Sequence, residues 1–222
     1  MKMPDATPRI SVDDLRAALD LQDFEAQEAQ ARMSPHPRTP FPENNGSTPR
    51  RAGVLVLVYP EPDSLHLVLT RRTDHLRGHS GQISFPGGGQ EAVDESLAAT
   101  ALRETCEELG LCDEDIRLIG ELSPVYIPPS HYDVHPVVGM MDSRPLFYPS
   151  PDEVAEVFSL SLHILLDDRV KQWEYRHFRG QQIQIPYYAV NGHKVWGATG
   201  AMLSELEWRL RAVVPARTIP GN

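Results

Sequence analysis

Four acidic residues and one arginine stand close together in this chain: Glu95, then Arg103-Glu104-Thr105-Cys106-Glu107-Glu108, directly after the run Gly87-Gly88-Gly89. On a helix turning about 100° per residue, Glu107 lies about 60° to one side of Glu104 and Glu108 about 40° to the other, so three carboxylates share one stripe. Stacked like charges repel. A solvated acidic face normally interleaves Lys or Arg to relieve that repulsion, and here only Arg103, four residues before Glu107, is at hand. A hard divalent cation removes it, because Mg²⁺ and Mn²⁺ prefer carboxylate and water oxygens. Glycines permit a tight turn and a close approach to a ligand, so a main-chain carbonyl such as that of Gly88 can join the shell. The run has neither the Gly-Lys-Ser/Thr of a P-loop nor the spacing of a dinucleotide fingerprint, which removes support for nucleotide-driven motors and dehydrogenases.

These side chains need a helix and a turn to hold them. Ser96 to Leu109 contains no Gly or Pro and predicts a helix with Ala98, Leu102, Thr105 and Leu109 on its core side. Ahead of it, Gly53-Val-Leu-Val-Leu-Val58 predicts a buried strand and Leu65-His-Leu-Val-Leu-Thr70 a second, the two forming a hairpin. Behind it, Leu118-Ile119, Pro136 to Met141 and Gln182 to Tyr188 read as strands, and Leu160 to Leu166 and Thr199 to Arg211 as helices. Ser11-Val-Asp-Asp14 is capping-box-like and opens a short N-terminal helix. The prolines from Pro35 to Pro49 exclude regular structure and make a linker or a wrapping segment. The expected organisation is an N-terminal helix and Pro-rich linker over 1–50, a main domain over 51–216 and a frayed tail over 217–222. Without regular βαβ alternation, the class is α/β or α+β rather than a doubly wound sheet.

The 222 residues carry 21 Lys and Arg against 31 Asp and Glu, a net charge of −10. That excess argues against a general binder of nucleic acid or anionic membrane, and any anionic substrate must meet a local basic patch or a metal. The longest apolar run, near Ala52 to Tyr59, is far short of the ~20 residues of a membrane span, and the N-terminus lacks a hydrophobic signal core. A soluble, cytoplasmic protein is expected. Cys106 and Cys112 are too few for a disulfide scaffold or a thiolate zinc site, and reduced, unpaired thiols are expected.

The spacing of the acidic segment is that of the Nudix box, G-x5-E-x7-R-E-U-x-E-E-x-G-U with U aliphatic. The chain resembles that family at Gly89, Glu95, Arg103, Glu104, Glu107, Glu108, Gly110 and Leu111. Thr105 departs at the first U; its methyl can face a core, but its hydroxyl needs a partner. The flanking Leu69-Thr-Arg-Arg72 and Leu76-Arg-Gly-His-Ser-Gly-Gln-Ile-Ser-Phe-Pro-Gly-Gly88 resemble the signature of the coenzyme A pyrophosphatase branch, and Trp196-Gly-Ala-Thr199 is similar to it as well. Residues 1–50 lie outside the resemblance.

The resemblance implies a Nudix-type α/β/α sandwich with a mixed central sheet and flanking helices. It also implies Mg²⁺- or Mn²⁺-dependent hydrolysis of the pyrophosphate bond of coenzyme A or its derivatives, to 3′,5′-ADP and 4′-phosphopantetheine or its acyl form. On this reading Glu104 and Glu108 bind metal, Glu107 shares a metal or its water, and the Gly88 carbonyl completes the donors. Arg103 orients the carboxylates, with Glu95 as its partner. Family members draw a further acid from a loop after the box. Of Asp152, Glu153 and Glu156, all near Pro149-Ser-Pro151, Glu153 is nominated, although an acid at a helix N-terminus explains it equally well. Arg71, Arg77 and His79 are nominated as substrate contacts, and Arg72 could equally be a solvated face. Tyr126, Tyr132, Tyr148 and Phe147 could stack on adenine or simply pack.

The implied partner is a small molecule, with no nucleic acid and no membrane, and a homodimer is compatible with it. Three rivals remain at this level: a pyrophosphatase for another nucleoside diphosphate derivative such as ADP-ribose, a non-catalytic nucleotide-sensing module, and partner recruitment by the Pro-rich N-terminal segment. The intact box acids weigh against the sensing module, and no x-P-x-x-P motif with basic flanks supports recruitment.

Overall fold

The apolar run after Pro49 becomes the centre of the molecule. In the computed structural model, which describes residues 9–37, 46–74, 81–112, 115–178 and 180–214, β1 (Arg50–Pro60) runs antiparallel to β2 (Leu65–Arg72). The expected hairpin is therefore present. On its other side β1 runs parallel to β7 (Tyr132–Met140), matched residue for residue from Arg50 opposite Tyr132 to Val58 opposite Met140. Both faces of β1 are also packed, Leu55 and Leu57 in one core cluster and Val56 and Val58 in another, which is why it reads as a continuous apolar run and not an alternating one.

Among the described residues the central sheet has eight strands: β3 (Ile83–Ser84), β2, β1, β7 and β5 (Arg117–Glu121) in order, with β4 (Gly87–Gly89) on β1, β6 (Val125–Ile127) on β7 and β8 (Val154–Ser161) on β2. One face carries Leu55, Leu57, Tyr59 and Val68 against α3 (Leu97–Leu109). The other carries Val56, Val58, Leu65, Leu67 and Leu69 against Leu203, Leu206 and Leu210 of α5 (Gly197–Val213). This is the expected α/β/α arrangement around a mixed sheet. A second, antiparallel sheet joins β9 (Lys171–Phe178), β10 (Gln181–Val190) and β11 (His193–Val195). No helix among the described residues is long and apolar enough to cross a membrane.

The N-terminal segment is built in. Helix α1 (Val12–Leu19) starts with the expected capping box of Ser11 and Asp14. Together with α2 (Ala26–Ala31) it lies on α5, and Ile10, Leu15, Ala18 and Met33 join the main core. His36 bridges Gln184 of β10 by both backbone hydrogen bonds, so the described start of the Pro-rich stretch wraps the domain. The buried charges of α5 are all satisfied: Glu205 holds Arg209, Gln30 and the Ser123 amide, and Glu207 holds Lys171, Arg211 and the Tyr188 hydroxyl. The proposed tail, 217–222, lies outside the described residues.

Helix α3 is seated so closely on the sheet that a Cβ on Gly53 would lie 2.1 Å from the Leu97 carbonyl oxygen. Ser96 caps its N-terminus by accepting the Ala99 amide, and Gly110, left-handed at φ 68°, ends it. Its buried stripe is Leu97, Thr100, Ala101, Thr105, Glu108 and Leu109, rotated from the expected one, with Ala98 and Leu102 only half-buried. The Thr105 hydroxyl finds its partner one turn back, donating to the Ala101 carbonyl at 2.7 Å.

Three other expectations are corrected. The turn at Gly110 brings the Cα atoms of Cys106 and Cys112 within 4.5 Å, and the two form a disulfide, so they are not unpaired thiols. Leu160 and Ser161 pair with Leu67 and His66 as the end of β8, leaving only α4 (Leu162–Leu165) of the helix expected over 160–166. Glu153 precedes the strand β8, so no helix N-terminus accounts for it.

The contact at Gly53 makes a direct prediction. Gly53→Ala forces a methyl group into the backbone of α3, and urea denaturation should show a loss of about 1–3 kcal/mol or more. An unchanged midpoint would mean that α3 is not held against β1 as described.

Candidate active site

Three elements deliver the candidate residues to one place. Helix α3 carries Glu104 and Glu108 toward the sheet and Glu107 outward; strand β4 lays Gly87–Gly89 along β1; and the turn before β8 brings Glu153. Gly88 lies directly against Glu104, since a Cβ there would meet that carboxyl group at 2.5 Å. The C-terminal end of α3 is tied to the following loop by Tyr148 N–H to the Leu109 carbonyl, 2.8 Å, and Ser150 N–H to the Glu108 carbonyl, 2.9 Å.

The three box carboxylates are not equivalent. Glu107 is 57% exposed, whereas Glu108 is 3% exposed. Glu108 Oε1 lies 3.6 Å from Arg72 Nη1, and Oε2 is buried with no hydrogen-bond partner. Burial raises the Glu108 pKa to about 8; the Arg72 guanidinium opposes this, and the charges of Glu153 and Glu104 add to it. Glu104 is also raised, chiefly by burial, with Arg103 opposing and the charges of Glu107 and Glu153 contributing. Glu153 therefore lies within electrostatic reach of both, as a further acid of the same cluster.

Arg103 organises the cluster. Its Nε and Nη2 grip Asp94 at 2.9 and 3.1 Å, Nη2 also reaches Glu104 at 3.0 Å and the Gly89 carbonyl at 3.3 Å, and Nη1 reaches Glu107 at 3.1 Å. Its acidic partner in the loop is thus Asp94 and not the expected Glu95, which is exposed. The Arg103 hydrogen bonds hold the Asp94 carboxyl well below the usual carboxylate range.

Of the nominated substrate contacts, Arg71 is held by Asp74 at 3.4 Å and Glu156 at 3.6 Å, while Arg77 and His79 lie outside the described residues. Arg72, weighed above as a solvated face, is the member of the pair that reaches the site. Adjacent strand residues point to opposite faces, and Val68 already packs under α3, so Arg72 shares that side and Arg71 does not. Strand alternation could have shown this from the sequence. Asp94 gave no comparable signal, because its loop has no periodicity. Tyr132 packs beneath Arg50, and Tyr126 bonds His131, so both aromatics have structural partners.

The donors present are all hard oxygens: carboxylates of Glu104, Glu107, Glu108 and Glu153 and the carbonyl of Gly88. The unpartnered Glu108 Oε2 and the closeness of Gly88 to Glu104 fit a cation of the Mg²⁺ or Mn²⁺ class. Among the described residues no three acidic, histidine or cysteine side chains already converge at ligand distance.

A family model described as the NUDIX domain matches residues 49–180. A protein of Photorhabdus laumondii, named an uncharacterized Nudix hydrolase NudL, is 33% identical over 85% of this chain and 96% of its own. A protein of the same name from Yersinia pestis is 36% identical over 72% of this chain and 79% of its own. Among solved structures, a Nudix hydrolase from M. smegmatis, RenU, matches 76% of this chain and 89% of its own at 16% identity, with a TM-score of 0.49.

The buried Glu108 predicts a pH dependence. Its folded pKa of about 8 lies above the ordinary 4.5, so the native state keeps a proton that the unfolded chain releases. The contribution of Glu108 to the stability of the chelator-treated protein should therefore be fullest below about pH 4.5 and fall as pH rises toward 8. Glu108→Gln removes that contribution, so the wild-type-minus-variant difference in unfolding free energy should drop by about 2–4 kcal/mol from pH 5 to 8.5. A pH-independent difference would show that Glu108 is not buried as a carboxylate.

Proposed function

Since the chain belongs to the Nudix hydrolase family, we propose that it hydrolyses the pyrophosphate bond of coenzyme A or its derivatives, releasing 3′,5′-ADP and 4′-phosphopantetheine. One observation carries the substrate assignment. The segment resembling the coenzyme A pyrophosphatase branch, 69–88, supplies the strand end from which Arg72 reaches Glu108 and the turn that lays Gly88 on Glu104.

The residues that would hold Mg²⁺ or Mn²⁺ are Glu104, Glu108 and Glu107 with the Gly88 carbonyl. Such a cation supplies charge neutralisation on phosphate oxygens and a water of lowered pKa. Glu153, near both Glu104 and Glu108 and accessible from the loop, is the group that takes the proton of the attacking water at a carboxylate oxygen. Arg72 sits where it can answer phosphate charge once Glu108 is engaged elsewhere, and Arg103 keeps Glu104 and Glu107 in place. Arg77 and His79, with Arg71, are the proposed contacts to the phosphates of coenzyme A.

Mass analysis of products after incubation with Mg²⁺ or Mn²⁺ tests the reading, with coenzyme A and ADP-ribose offered side by side. Release of 3′,5′-ADP and 4′-phosphopantetheine, lost on chelation, is the expected result. Cleavage of ADP-ribose alone would overturn the substrate assignment and keep the hydrolase, and silence on both would favour a sensing module. Glu108→Gln should cut turnover by about 100-fold or more and Glu153→Gln by about 10²–10⁴-fold. Arg77→Ala should weaken coenzyme A more than its 3′-dephospho form, and equal losses would remove that contact.

A further inference from the structure

We infer that Asp94, rather than the box residue Glu95, is the positioning residue of this site, fixing Arg103 so that Glu104 and Glu107 are presented to a divalent cation. This rests on the proposed metal-dependent reading of the site. The geometry is one-sided. Asp94 is 3% exposed at its side chain, and both its oxygens are committed: Oδ1 to Arg103 Nε, Oδ2 to Arg103 Nη2, the Glu91 amide at 2.8 Å and the Thr100 hydroxyl at 3.0 Å. Thr100 is itself buried in the first turns of α3, so Asp94 is braced against the helix that carries the acids. Glu95, one residue on, is exposed and has no side-chain hydrogen bond or ion pair among the described residues.

The physical need follows from charge. Arg103 stands 3.0 Å from Glu104 and 3.1 Å from Glu107. Unneutralised, a guanidinium at that distance would compete for both carboxylates and repel a divalent cation bound to them. A two-pronged carboxylate partner cancels that charge and fixes the plane of the fork. Asp94 thus turns Arg103 from a competitor into a holder. Asparagine at 94 keeps the shape and loses both the charge and one acceptor.

Asp94→Asn, Asp94→Glu and Glu95→Gln in the full chain separate the two residues. Mn²⁺ affinity, measured by titration with the metal alone, should weaken about 10–100-fold in Asp94→Asn and stay within about twofold in Glu95→Gln. The slowly exchanging Arg103 Nε–H resonance, expected in the wild type, should vanish in Asp94→Asn and persist in Glu95→Gln. Asp94→Glu should recover part of the affinity. Wild-type affinity and resonance in Asp94→Asn, or their loss in Glu95→Gln, would overturn the inference. A wild type that binds Mn²⁺ yet cleaves no pyrophosphate overturns the proposed function and leaves this comparison decisive, whereas one that binds no Mn²⁺ overturns both.

Discussion

Burying a carboxylate with one oxygen unanswered is expensive, since an ion moved from water into protein loses solvation that only a partner of opposite charge restores. Glu108 is in that position, and much of the surrounding structure is organised around it. Arg72 arrives from the end of β2, Gly87–Gly89 passes beside α3 without side chains, and Gly53 lets the helix descend until Glu108 is enclosed. Each of these would be a poor choice for stability alone. Together they make a place where one more positive charge is favourable.

Helix α3 serves two purposes with one face. Leu97, Ala101, Thr105 and Leu109 anchor it to the sheet, and the same stripe carries Glu108 inward, so the core that stabilises the helix also dehydrates its acid. Glu104 lies one turn earlier at the margin of the core and Glu107 in the solvent. The three acids consequently span a gradient of burial across little more than one turn. Arg103 and Asp94 form a neutral pair at the outer end of that gradient, and Arg72 provides the charge at its inner end.

Much of this was legible in the residues. The spacing of Glu104, Glu107 and Glu108 on an uninterrupted helix, the β1–β2 hairpin and the capping box at Ser11 follow from periodicities of 3.6 and 2 and from capping chemistry, which are local. What escaped is set by tertiary contact. The helix stripe was rotated because the bare backbone at Gly53 admits Leu97 more deeply than hydrophobicity alone suggests. Leu160 and Ser161 were drawn into β8 by β2, and Cys112 was brought to Cys106 by the left-handed turn at Gly110. Asp94 was passed over for Glu95 because loop side chains carry no period, and only the fold decides which of two adjacent acids turns inward.

The parallel pairing of β1 with β7 imposes an order of events on synthesis. The two strands are about 80 residues apart in the chain, and α3 lies within the crossover between them. Contacts of such high sequence separation are slow to close. A ribosome that has just released α3 has already released β1, β2 and β4, on which its acids sit, but the sheet around them becomes complete only when β7 and then β8 have emerged. The apolar face of β1 and β2 that meets α5 stands open until that last helix has emerged, the interval in which a nascent chain of this topology is most dependent on protection from aggregation.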